Sequence, residues 1–198
     1  NNGVYGLTKG QFSATADRGS RSKKGVINND SPVDLVGLAL QLGATYVARS
    51  FSGDKEQLVP LIKGAIGHGG AAFIDVISPC VTFNNHAGST KSYDYVRQHN
   101  EAVSRIDFMP QHSEITTQYA PGEAIDVQQH DGSVLRLRKL HADYNPTDRY
   151  AALSYMNAHH ARGEVVTGLL YIDPVATDLH QALNTSDTPL NALGVAQL

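Results

Sequence analysis

Ser31-Pro32-Val33-Asp34-Leu35-Val36-Gly37-Leu38-Ala39-Leu40-Gln41-Leu42-Gly43-Ala44-Thr45-Tyr46-Val47-Ala48-Arg49 changes its apolar period once, and that change decides the fold. Ser31 ahead of Pro32, with Asp34 three residues on, reads as a helix start. It offers a capping hydroxyl, a proline in the first turn and an acid at the positive end of the helix dipole. Leu35, Leu38, Ala39 and Leu42 follow at helical spacing, and Gly43 stops the helix. Thr45 to Arg49 is then a short buried strand. The pair repeats: Asp54 opens a helix with Leu58, Leu61, Ile62, Ala65 and Ile66 on one face, and residues 71–77 (Ala-Ala-Phe-Ile-Asp-Val-Ile) form a nearly continuous apolar strand. Helix, strand, helix, strand with short connections predicts an α/β fold with a parallel sheet. Ligands of such sheets lie beyond the carboxyl ends of the strands.

On the amino-terminal side the character is different. Residues 12–30 are polar and rich in Ser, Gly and Lys, which predicts a solvated loop or a segment ordered by a phosphate or a partner through Lys23 and Lys24. Residues 1–11, Asn-Asn-Gly-Val-Tyr-Gly-Leu-Thr-Lys-Gly-Gln, hold almost nothing that could enter a core. Their glycines suit a tight loop whose backbone approaches something small and charged. Asn2 and Val4 are two apart, so a side-chain amide oxygen and a main-chain carbonyl can aim at one centre, as hard ligands of Mg²⁺ do. An Asn-Gly pair is more often simply the signature of a turn.

On the carboxyl-terminal side a second character begins near residue 99. Ala124–Val127 and Val134–Leu137 flank His130-Asp131-Gly132-Ser133, a hairpin signal. Asp148 opens a helix that runs to about Ala161 before Gly163, and Val165–Ile172 reads as a strand. The tail from Asn184 to Leu198 carries scattered apolar residues and is expected to lie over a neighbour. Gly64–Gly70 follows a helix and lacks the Lys-Ser/Thr of a phosphate loop, so it reads as a helix stop and turn. His159-His160 falls toward the exposed end of a helix, and the nine histidines show no metal spacing.

Composition narrows the classes. The 198 residues are 41% hydrophobic and 18% charged, with net charge -3, which supplies a core and argues against a nucleic-acid binder. No apolar run reaches membrane length and no signal peptide is visible, so the expectation is a cytoplasmic protein without a membrane partner. The one cysteine, Cys80, permits no intramolecular disulfide. It sits three residues past a strand end, and a lone cysteine there is ordinarily a small buried hydrophobe.

Asn2-Gly3-Val4-Tyr5-Gly6-Leu7-Thr8-Lys9-Gly10-Gln11, with Ile77-Ser78-Pro79-Cys80-Val81-Thr82-Phe83-Asn84 further on, resembles the beta subunit of 2-oxoacid:ferredoxin oxidoreductases, and most closely the 2-oxoglutarate-type branch. The similarity continues through Gly43-Ala44-Thr45, Gly88-Ser89-Thr90-Lys91-Ser92-Tyr93 and Thr167-Gly168-Leu169-Leu170-Tyr171. The resemblance implies the carboxyl-terminal part of a thiamine diphosphate-binding parallel-sheet domain over residues 1–98. Residues 99–198 would then be a hairpin, helix and tail extension. It implies that Asn2 by its side chain and Val4 by its carbonyl hold Mg²⁺ on the cofactor's diphosphate, with Gly6 and Leu7 against the cofactor. Leu7, Thr8 and Lys9 would border the substrate, with Lys9 facing the distal carboxylate of 2-oxoglutarate. Cys80 would give one thiolate to a 4Fe–4S cluster that takes the electrons released by oxidative decarboxylation.

The same resemblance implies an alpha subunit completing the active site, coenzyme A as acyl acceptor and ferredoxin as electron acceptor. No side chain here need act as a general base, since the cofactor's own aminopyrimidine does that work. The family's Gly-Asp-Gly motif and three further cluster cysteines are not among these residues. The expectation is therefore a carboxyl-terminal portion of a beta subunit that alone neither binds the cofactor tightly nor holds a cluster, and whose sheet edge is exposed. Two rival readings stand beside it: a pyruvate or broad 2-oxoacid specificity, and a catalytically incompetent assembly module.

Overall fold

The computed structural model describes residues 1–5, 9–22, 24–78, 114–129, 134–185, 188 and 192. The order of elements is α1 (Leu35–Gln41), β1 (Tyr46–Phe51), α2 (Lys55–Gly67), β2 (Ala72–Ile77), β3 (Ala124–Gln128), β4 (Val134–Lys139), α3 (Arg149–His160), β5 (Val165–Ile172) and α4 (Leu179–Leu183). The five strands form one mixed sheet in the order β2-β1-β5-β4-β3. The first repeat gives the expected parallel pair, with Tyr46 beside Ala72 and Phe51 beside Ile77. β3 and β4 are the expected hairpin, Ala124 facing Arg138, although its turn at 130–133 lies outside the described residues.

The last strand joins the two halves. β5 runs antiparallel to β1, with Tyr46 opposite Ile172, and parallel to β4, with Leu137 beside Val165. Its register against β1 slips by one residue near Leu170, a bulge beside Gly168, whose φ is 129°. The expected boundary at 98/99 falls outside the described residues.

Alternation along β1 sends its side chains to two cores. Val47 packs with Val36, Ala39 and Leu40 of α1, with Ala152 and Met156 of α3, and with Val166 and Leu170 of β5. Tyr46 and Ala48 face Leu61 of α2 on the other side. Phe51 closes the sheet's far end against Tyr119, Val127 and Leu137. Tyr46 also donates from its hydroxyl to the Leu61 carbonyl (2.8 Å), and a Cβ at Gly64 would come within 2.9 Å of that hydroxyl. Gly64 is therefore inside α2 because helix and strand approach closely there, and the helix stops only after Gly67.

Several local expectations are corrected. α1 is capped by Asp34, whose carboxylate accepts from the Val36 N–H (3.2 Å), and it begins after the Ser31-Pro32 pair. Its buried face is Val36, Ala39 and Leu40, while Leu38 and Leu42 point outward. With apolar residues nearly all round, tertiary packing rather than periodicity chooses the face. α2 starts at Asp54 as expected, but Ile62 and Ile66 of its expected inner face are exposed, Ile66 by 80%. His159 is buried, its Nδ1 2.6 Å from Glu164. Residues 19–22 and 24–28 pair in a small antiparallel hairpin around the bridge between Arg21 and Ile27. No helix among the described residues is long and apolar enough to cross a membrane.

Candidate functional site

The amino-terminal residues are tied to the carboxyl end of β2. The Asn1 nitrogen donates to the Val76 carbonyl (2.6 Å), and the Asn1 carbonyl accepts from the Ser78 N–H (2.8 Å). The Asn1 side-chain oxygen in turn accepts from Thr15 Oγ1 (2.9 Å) and the Gly3 N–H (3.3 Å). Gly3 holds φ at 64°, a left-handed conformation that glycine adopts without Cβ strain, and its open side lies against the backbone of Thr15 and Ala16. Sequence and structure thus agree on a tight turn at the carboxyl edge of the sheet.

Within that turn Asn2 Oδ1 accepts from the Val4 N–H (3.0 Å). This Asx turn links the two residues expected to give oxygen ligands, and leaves the second lone pair of Asn2 Oδ1 uncommitted. Both residues line a cavity of about 470 Å³ between the amino-terminal segment, the α1/α3 face of the sheet and the end of α3. The donor set consists of two neutral oxygens, which fits Mg²⁺ only in company with anionic oxygens such as those of a diphosphate. Among the described residues no group of three or more His, Cys, Asp or Glu side chains could hold a metal by itself.

The sheet wall of the cavity carries an ion-pair relay that reading the sequence missed. Arg49 and Asp75 are register partners on β1 and β2, and Arg49 Nε meets Asp75 Oδ2 at 3.0 Å. Arg49 Nη2 reaches Asp34 Oδ1 at 2.5 Å, so the carboxylate that caps α1 also braces the arginine. The signal was present: one charge sits in each of two mainly apolar strands, at positions that pair.

At the other end, Glu164 lines the cavity from a buried position. Arg138 grips it with a fork, Nε to Oε2 and Nη2 to Oε1, both 2.8 Å, while His159 Nδ1 lies 2.6 Å from Oε2. The hydrogen bonds from Arg138 and then from His159 hold the Glu164 carboxyl down at about 2. That carboxylate is fully engaged, so it reads as a wall rather than an acid or base.

Of the remaining expected site residues, Lys9 is exposed. Gly6, Leu7, Thr8 and Cys80 lie outside the described residues.

Residues 1–76 match the family model described as "Thiamine pyrophosphate enzyme, C-terminal TPP binding domain". A 2-oxoacid:ferredoxin oxidoreductase beta subunit of Sulfolobus is 41% identical over 110 residues, 55% of this chain and 34% of the relative. The 2-oxoglutarate oxidoreductase subunit KorB of Mycobacterium tuberculosis is 38% identical over 86 residues, covering 43% of this chain and 23% of the relative. The 2-oxoglutarate synthase subunit KorB of Methanocaldococcus jannaschii is 31% identical over 133 residues, covering 65% and 49%. A solved 2-oxoglutarate:ferredoxin oxidoreductase from Magnetococcus marinus, with 2-oxoglutarate, coenzyme A and succinyl-CoA bound, superposes with a TM-score of 0.58 at 25% identity. That match covers 96% of this chain and 53% of the solved one. The matched stretch spans about a third of the Sulfolobus relative (34%) and about half of the M. jannaschii relative (49%). The chain is homologous to beta subunits of 2-oxoacid:ferredoxin oxidoreductases, 2-oxoglutarate-type members among them, and its α/β fold is that of a thiamine diphosphate-binding domain.

Proposed function

We propose that this chain forms part of the beta subunit of a 2-oxoglutarate:ferredoxin oxidoreductase, which converts 2-oxoglutarate and coenzyme A to succinyl-CoA and carbon dioxide while reducing ferredoxin. The observation that carries this reading is the Asn2–Val4 turn at the carboxyl end of β2, inside the stretch matched by the thiamine diphosphate domain. Thiamine diphosphate, when bound, supplies an electron sink for decarboxylation of the oxoacid.

The part of this chain is to hold and orient. Asn2 Oδ1 and the Val4 carbonyl would hold Mg²⁺ on the diphosphate, and Gly6 and Leu7 would border the cofactor. Leu7, Thr8 and Lys9 would form the substrate wall, with the Lys9 ammonium paired to the distal carboxylate of 2-oxoglutarate. Cys80 would contribute one thiolate to a 4Fe–4S cluster. An alpha subunit would complete the cavity and take part in binding coenzyme A.

The test is turnover by the assembled enzyme. Carried within a complete beta subunit and co-expressed with the alpha subunit, the chain should support reduction of methyl viologen that needs 2-oxoglutarate, coenzyme A and thiamine diphosphate together, with pyruvate a poorer substrate. An assembled enzyme that holds thiamine diphosphate and turns over neither oxoacid overturns the reading.

A further inference from the structure

We infer that the hairpin formed by residues 19–22 and 24–28 is a docking arm for an acidic protein, the electron acceptor of the oxidoreductase proposed above, on which this inference rests. The segment is built. Gly19 donates to the Asn28 carbonyl (2.7 Å), Asn28 to the Ser20 carbonyl (2.8 Å) and Ser22 to the Val26 carbonyl (2.9 Å), and Gly25 closes the turn onto the Ser22 carbonyl (2.9 Å) with φ at 80°. Its base is pinned by Asn28, whose buried side-chain amide donates to the Ala16 and Asp17 carbonyls, both 3.1 Å. An arm held by buried polar contacts loses little entropy when a partner binds it.

What the arm presents is cationic and apolar. Arg21 and Lys24 on the arm and Arg18 at its foot are exposed, with the exposed Asp17 beside Arg18, and among the described residues none of the three cations makes an ion pair. This stands out in a chain of net charge -3. Val26 is 57% and Ile27 42% exposed beside them. An apolar patch rimmed by unpaired cations fits a protein surface bearing carboxylates, because the charges steer the encounter and the patch is desolvated on contact. A compact nucleotide would instead need donors converging on one pocket.

The position suits an electron acceptor. Ala16, which accepts from Asn28, lies under Gly3, and neighbouring Thr15 donates to the Asn1 side chain (2.9 Å). A protein seated on the arm is therefore beside the Asn1–Val4 turn.

The test uses the assembled enzyme, an acidic 2[4Fe–4S] ferredoxin and methyl viologen as a small acceptor. Arg21 also lines the cavity, so the variant is Arg18→Glu combined with Lys24→Glu. At low salt the double variant should raise the KM for ferredoxin about tenfold, within the range over which electrostatic steering acts. Viologen reduction should be unchanged, and Arg18→Lys should behave as wild type. Interferometry of ferredoxin on immobilised enzyme reads the same loss without turnover. If no acceptor is reduced yet ferredoxin binds wild type and not the variant, the arm stands and the oxidoreductase reading falls. Equal ferredoxin affinity in both proteins overturns the arm, as does a variant that loses affinity for coenzyme A instead.

Discussion

Asn1 stands beside Ile77 as a residue of a neighbouring parallel strand would, donating to the carbonyl before it and accepting from the N–H after it. This one bridge position places the following turn at the carboxyl end of β2, where an α/β sheet offers its ligand crevice.

Asn2→Ala follows directly from that placement. It removes the oxygen that accepts from the Val4 N–H, on an exposed turn, so the melting temperature should hardly move. Affinity of the assembled enzyme for Mg²⁺ and thiamine diphosphate should fall by about tenfold or more, the scale of losing one metal-site partner. Titration calorimetry with both ligands measures it, and unchanged affinity removes Asn2 from the site.

Lys9→Ala separates the substrates. The KM for 2-oxoglutarate should rise about tenfold, the loss of one charge-assisted contact, while that for pyruvate stays level. An equal effect on both oxoacids removes the carboxylate-pairing role.

Glu164 gives the fold a limb of acid sensitivity. Its carboxyl sits at about 2, below its ordinary 4.5, because Arg138 and then His159 bond the ionised form. On acidification the unfolded chain takes up this proton first. The stabilisation is therefore complete above about pH 4.5 and drains away toward pH 2. Glu164→Gln should cost about 3–5 kcal/mol near neutrality by leaving the arginine and histidine without their anion. It should also flatten the stability profile between pH 4.5 and 2 in urea titrations; an unaltered acid limb contradicts the pairing.

Gly53→Ala tests the joint between α2 and the segment entering β3. A Cβ there would overlap the Ile115 carbonyl and lie 2.6 Å from the Phe51 ring, while the Gly53 carbonyl accepts from the Thr117 N–H (3.0 Å). Backbone cannot move aside as a side chain can, so the expected loss is about 3 kcal/mol in chemical denaturation. Gly67→Ala, with open space around its Cβ, should instead be neutral or gain up to about 1 kcal/mol of helix stability. A similar loss at both positions would contradict the close approach.

How far the sequence could be read depended on the range of the forces involved. Elements set by local chemistry were legible: the Asp54 and Asp148 caps, the strand Val165–Ile172, the positive-φ Gly163 that ends α3. The face of α1 was not, because seven residues with apolar side chains on most sides leave the choice to packing partners. Neither was the place of β5, since nothing in Val165–Ile172 states that it inserts antiparallel between β1 and β4. At the site, the Asn2–Val4 turn was legible from two residues. The Arg49–Asp75 pairing required a strand register that periodicity alone does not supply.

That central position of β5 has a temporal side. Tyr46 meets Ile172, so the sheet cannot close until the ribosome has gone far past β1 and delivered β5. Until then β1 has an open edge on the side where β5 belongs, and Val36, Leu40 and Val47 lack Met156, Val166 and Leu170 as neighbours. Pairings this distant in sequence form slowly. The nascent chain is most prone to aggregate in that interval, and a chaperone that shields β1 should raise the yield of folded protein more than one acting after release.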